Sequence, residues 1–92
     1  MRYIKVYWHH DFDDDPVMYF HEVGDDDWEI RRVQVYRDGR TEWADENHET
    51  DTAGTAEIPI TSIAEIASQS EFDAEEITHN EFEREWSKAR GR

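Results

Sequence analysis

Residues 2–9 alternate strictly, with Ile4, Val6 and Trp8 on one side and Tyr3, Lys5 and Tyr7 on the other, which predicts a half-buried β-strand. A polar break, Asp-Phe-Asp-Asp-Asp-Pro at 11–16, ends it, and residues 17–23 read as a second strand closed by Gly24-Asp25-Asp26-Asp27. Residues 28–37 read as a third strand whose apolar phase slips: Trp28 and Ile30 share one parity, Val33 and Val35 the other. A β-bulge at Arg31-Arg32 would return all four to one side. Asp38-Gly39 is a strong hairpin signal leading into a fourth strand over 40–46, with Trp43 inward.

Helical periodicity appears only later. Ser62 with Glu65 forms a capping box before Ile63, Ile66 and Ala67, and Thr78 with Glu81 forms another before a final helix to Arg90, where Phe82 and Trp86 lie four apart. Between them, Asp73 with Glu76 has the spacing of a cap on a single helical turn. The expected fold class is α+β: a four-stranded antiparallel β-meander followed by two C-terminal helices packed on one face. One domain spans 1–92, with the sheet in 1–46, a loop and lead-in over 47–60, and the helical part over 61–90.

Composition changes this picture through charge. The 92 residues hold 24 Asp plus Glu against 10 Lys plus Arg, a formal net charge of −14. Low hydropathy with high charge is a signature of disorder, but four Trp, four Tyr and four Phe in periodic positions oppose it. The expectation is a folded chain strained by self-repulsion, which salt or mild acid should stabilise. Direct nucleic-acid binding through phosphates and adsorption on anionic membranes both need clustered cations, which are missing here. No run approaches the length of a membrane span and the N-terminus has no apolar signal core, so a cytoplasmic location is expected. With no cysteine, thiolate chemistry and Cys-based zinc sites are excluded.

A meander sorts the acids between its two ends. Asp11, Asp13, Asp14 and Asp15 join Asp38 at one end; Asp25, Asp26 and Asp27 join Asp45, Glu46, Glu49 and Asp51 at the other. No basic residue lies between Lys5 and Arg31 or between Arg40 and Arg84. Such separation of sign suits a partner with a strongly positive patch, the acids occupying places where phosphates would lie. Phe12, in the middle of the first acidic loop, is the best local anchor, unless it folds back onto the sheet. A generic solubilising role for the same charge stands beside this reading.

Metal and catalytic patterns are weaker. His9 and His10 point to opposite faces of a strand, and with Asp11 and His21 they make a thin ligand set. Asp11, Asp13 and Asp15 followed by Glu22 approach a calcium-loop spacing, but Pro16 stands where that loop needs Gly. No phosphate loop or nucleophile elbow occurs, so neither an enzyme nor a bound cofactor or metal is expected.

The segments YIKVYWHHDFDDDPV, WEIRRVQVYRDGR and IPITSIAEIASQSEFDAEEITHNEFEREW together resemble a family of small uncharacterised bacterial proteins, largely actinobacterial, described as a domain of unknown function. Its members resemble toxin-immunity proteins and anti-CRISPR inhibitors in size and acidity. Charge and resemblance together lead to the expectation of a small acidic inhibitor that blocks the positively charged surface of a nucleic-acid-handling protein or complex, and an open sheet edge at the first or fourth strand would make it a monomer or weak dimer. A non-inhibitory adaptor or structural module is the alternative.

Overall fold

A computed structural model describes residues 1–56 and 59–91. Among the described residues, five strands form one antiparallel sheet: β1 (Arg2–Trp8), β2 (Met18–Val23), β3 (Glu29–Val35), β4 (Thr41–Ala44) and β5 (Phe72–Glu76), in the order β4-β3-β2-β1-β5. Two helices accompany it, α1 (Ile63–Ala67) and α2 (His79–Ala89). The antiparallel meander, the two late helices and the Ser62 and Thr78 N-caps agree with the sequence reading. Ser62 accepts from the Glu65 N–H at 3.2 Å and Thr78 from the Glu81 N–H at 3.1 Å.

The fifth strand corrects the four-stranded expectation. Residues 72–76, whose Asp73 and Glu76 have helix-start spacing, instead extend along β1. Phe72 sits opposite Trp8, Ala74 opposite Val6, and Glu75 opposite Lys5. The alternation of Phe72 and Ala74 with Asp73 and Glu75 fits a strand with one covered face, and β1 supplies the free edge it needs. β1 is therefore interior, and β4 and β5 are the sheet edges.

The helices do not share a face either. One face packs Ile4, Val6 and Val23 with Tyr19, Phe72, Ala74, Ile60 and the α1 residues Ile63 and Ile66. The other packs Phe20 and Val33 with Ile77, Phe82 and Trp86, supported by Tyr3, Met18, Val35 and Trp43. The chain needs this because both parities of β1 and β2 carry bulky apolar groups, and each set requires its own cover.

The bulge occurs one step earlier than expected. Glu22 pairs with Arg31 while Val23 pairs with Glu29, leaving Ile30 as the extra residue. Trp28 and Ile30 accordingly stay exposed instead of joining Val33 and Val35. At the β3–β4 hairpin, Gly39 takes φ +89, as the sequence signal requires.

Candidate functional site

The acidic loop after β1 is held from several directions. Trp8 N–H donates to the Val17 carbonyl at 2.9 Å, and the His10 ring ties the loop internally. Its Nδ1 accepts from the Phe12 N–H at 2.9 Å, so its Nε2 carries the proton and donates to the Pro16 carbonyl at 2.8 Å. Arg37 donates to the His10 carbonyl and approaches Asp13 at 3.7 Å. Phe12 does not fold back: it is 61% exposed and lies 5.4 Å from the His10 ring, which in turn lies 4.2 Å from Trp8. Around it, Asp11, Asp14 and Asp15 have no cationic partner among the described residues.

The second acidic group is engaged differently. Asp25 pairs with the N-terminal amine, Asp27 with Arg2 at 3.0 Å, and Asp26 accepts from the Trp28 N–H at 3.1 Å. Asp27 also takes a left-handed φ of 69°. Asp26 thus bonds within the turn, while Asp25 and Asp27 tie the turn to the first two residues of the chain. Trp28 and Ile30 are exposed beside them.

Asp45 bonds the Asn47 N–H and bridges to His48, with Glu46 exposed between. The following chain then folds back over the sheet: Thr50 and Thr52 donate to Glu42, and Gln34 donates to the Thr52 carbonyl at 3.1 Å. This brings Asp51, with Thr50 and Thr52, toward the β3–β4 turn and away from Asp25, Asp26 and Asp27, contrary to the two-end sorting. Glu49 is exposed on the same segment.

Most described cations are already occupied inside the molecule. Arg31 holds Glu22 through two bonds of 2.6 and 2.7 Å, also holds Glu83, and lies over the rings of Phe82 and Trp86. Its guanidinium is held charged well above its ordinary range, first by the Glu22 hydrogen bond. Lys5 faces Glu75, Arg32 holds Glu29, and Arg90 covers Trp43 and Trp86. The excess negative charge is thus left at the surface.

Histidines and aspartates do not converge on a metal. His9 bonds Asp73 at 2.7 Å, His10 serves the loop, and His21 sits opposite Ile4. Glu22 is buried against Arg31 instead of meeting Asp11, Asp13 and Asp15. Among the described residues no group of three or more such side chains could hold an ion.

A second polar centre lies beneath the sheet face that carries α1. Glu29, its side chain fully buried, bonds His21 Nδ1 with one oxygen, and Arg32 Nε at 3.0 Å and the Ala56 N–H at 2.8 Å with the other. Burial alone would raise the Glu29 carboxyl, but His21, Arg32 and the Ala56 N–H together outweigh it and hold the group below the ordinary glutamate range. His21 and Arg32 are cross-strand neighbours at the floor of a cavity of about 400 Å³, walled by Trp8, Tyr19, Phe72 and Ile66. The sequence reading used His21 only as a metal ligand and did not single out Glu29 or Arg32. The one available signal was the apolar phase slip in β3, because a bulge at Ile30 puts Glu29 and Arg32 on one face.

The family described as a domain of unknown function (DUF6881) matches residues 2–91. No curated protein and no solved structure matches the chain. Among the described residues no helix is long and apolar enough to cross a membrane.

Proposed function

We propose that this chain, which belongs to the DUF6881 family of domains of unknown function, is an acidic protein-binding inhibitor that covers a positively charged surface of a nucleic-acid-handling partner. The observation that carries the reading is Phe12, an exposed ring presented by an internally bonded loop whose Asp11, Asp14 and Asp15 lack cationic partners among the described residues. An aromatic anchor amid unpaired carboxylates suits a basic cleft with an apolar recess: the ring supplies buried area, and the acids steer the encounter. Occupied cations favour the same reading, because they leave little positive charge to compete at the surface.

The loop at 11–15 is the primary contact, and Asp25, Asp26 and Asp27 are a comparison arm, since their carboxylates already serve the turn. Asp45, Glu46, Glu49 and Asp51 extend the acidic field without an aromatic anchor. The test immobilises the protein, passes lysate of its source organism over it, and elutes with duplex DNA and then with salt. Retained basic proteins should be released by DNA, and retention should fall with Phe12→Ala and with Asp11, Asp13, Asp14 and Asp15 all changed to Asn. Replacing Asp25, Asp26 and Asp27 with Asn should matter less. Undiminished, DNA-insensitive retention by the loop variants would leave charge as a solubility device in a non-inhibitory adaptor.

A further inference from the structure

The cavity above His21 and Arg32 shares the Trp8 ring with the support of the acidic loop, but its polar residues are other ones and carry a chemistry of their own. Glu29 accepts on both oxygens, so His21 Nδ1 is the protonated ring nitrogen facing it. In that Nδ1–H tautomer Nε2 carries the lone pair, and it makes no hydrogen bond with any described residue. Arg32 gives Nε to Glu29 and Nη1 to the Gln34 side chain at 3.2 Å, while Nη2 makes no hydrogen bond with any described residue. Two neighbouring side chains that line the cavity, both anchored on the buried Glu29 carboxylate, thus each keep a polar atom outside that anchor, Nε2 of His21 and Nη2 of Arg32.

The walls specify the rest of the ligand. Trp8, Tyr19 and Phe72 line it with aromatic rings, Trp8 against Phe72 and Tyr19 against His21, while Val6, Ile60 and Ile66 offer aliphatic surface and the Gln69 side chain also lines the space. About 400 Å³ is at the small end of ordinary ligand cavities. Charge is balanced at the floor, since Arg32 and Glu29 neutralise one another. An anion would also have to approach a molecule of net charge −14.

The geometry points to a binding site for a small, neutral, planar heterocycle that presents an N–H beside a C=O, the lactam edge of a pyrimidine or purine base. The ligand N–H donates to His21 Nε2, the adjacent carbonyl accepts from Arg32, and the ring lies among Trp8, Tyr19 and Phe72. Leaving either polar group unpaired would cost binding, which makes the edge, more than the ring, the basis of selection. This site does not depend on the acidic-loop reading.

The experiment titrates the intact protein with uracil and with hypoxanthine, following the Trp8 indole and His21 ring signals by NMR. 1,3-Dimethyluracil, which keeps the ring and carbonyls but has no N–H, and benzoate, an anion, are the controls. Saturable shifts at Trp8 and His21 are expected with at least one lactam, with both controls weaker by about tenfold or more. Ile66→Trp, which fills the cavity from α1, should abolish the shifts, and Gln69→Trp replaces it if that variant fails to fold. Dimethyluracil or benzoate binding as tightly, no saturable shift with either lactam up to about 10 mM, or unchanged binding in a folded cavity-filled variant would each overturn the assignment.

Discussion

Arg31 joins the sheet to α2 through one side chain. It holds Glu22 on β2 and Glu83 on α2 while lying 4.8 Å from the Phe82 ring centre and 4.9 Å from that of Trp86. Glu22 is buried, so removing its partner strands a carboxylate away from water. Arg31→Met should cost about 3–5 kcal/mol in chemical denaturation, and adding Glu22→Leu should recover most of it, because a buried pair replaced by apolar groups is often neutral. A double variant no more stable than the single one would mean that the rings, not the ion pair, carry the effect. Phe12 behaves in the opposite way: Phe12→Ala should move stability by no more than about 0.5 kcal/mol, since the side chain is mostly in solvent.

At the scale of elements, β1 to β4, the Asp38-Gly39 hairpin and both helix N-caps were legible because their signals are local. β5 was not. Asp73 and Glu76 satisfy a helix start when read alone, and only the free edge of β1, more than sixty residues earlier, makes Phe72–Glu76 a strand. The same limit hid the centre at His21, Glu29 and Arg32. In an unbroken strand Glu29 and Arg32 point to opposite faces, and the slip at Ile30 that unites them depends on pairing with β2. The acidic loop was readable as far as its charge, but Phe12's exposure depends on the His10 and Trp8 rings beneath it. β5 also permits a controlled test. Ile77 N–H bonds the Tyr3 carbonyl and His9 N–H the Glu71 carbonyl, so by antiparallel alternation Glu75 bonds Lys5 while the Glu76 N–H points away. Glu75→Pro should therefore cost about 1–3 kcal/mol more than Glu76→Pro, both at exposed glutamates. Equal losses by thermal denaturation would show that β5 is not paired in this register.

For the whole molecule, charge acts on stability in two directions that pH and salt separate. The carboxyls whose ionisation the fold shifts, Asp25, Glu29, Glu42 and Glu83, are all moved downward. At Asp25 the cause is first the N-terminal amine, and at Glu83 first the Arg31 hydrogen bond. At Glu29 and Glu42 burial opposes the shift but is outweighed by hydrogen-bond donors. A carboxyl lowered by folding contributes stability that is fully present above its unfolded value, about 3.9 for Asp and 4.3 for Glu, and disappears as pH falls through the folded value. The expectation that acid stabilises the chain is therefore reversed for these groups. Salt acts on the other component: ions screen the repulsion among exposed acids of a molecule at −14, but reach the buried Arg31–Glu22 and Arg32–Glu29 pairs far less. The melting temperature should rise with added sodium chloride at neutral pH and should fall once the pH drops below about 4.5. A melting temperature that climbs on acidification through that range, or that declines with salt, would mean that surface repulsion and the paired carboxylates have been assigned the wrong weights.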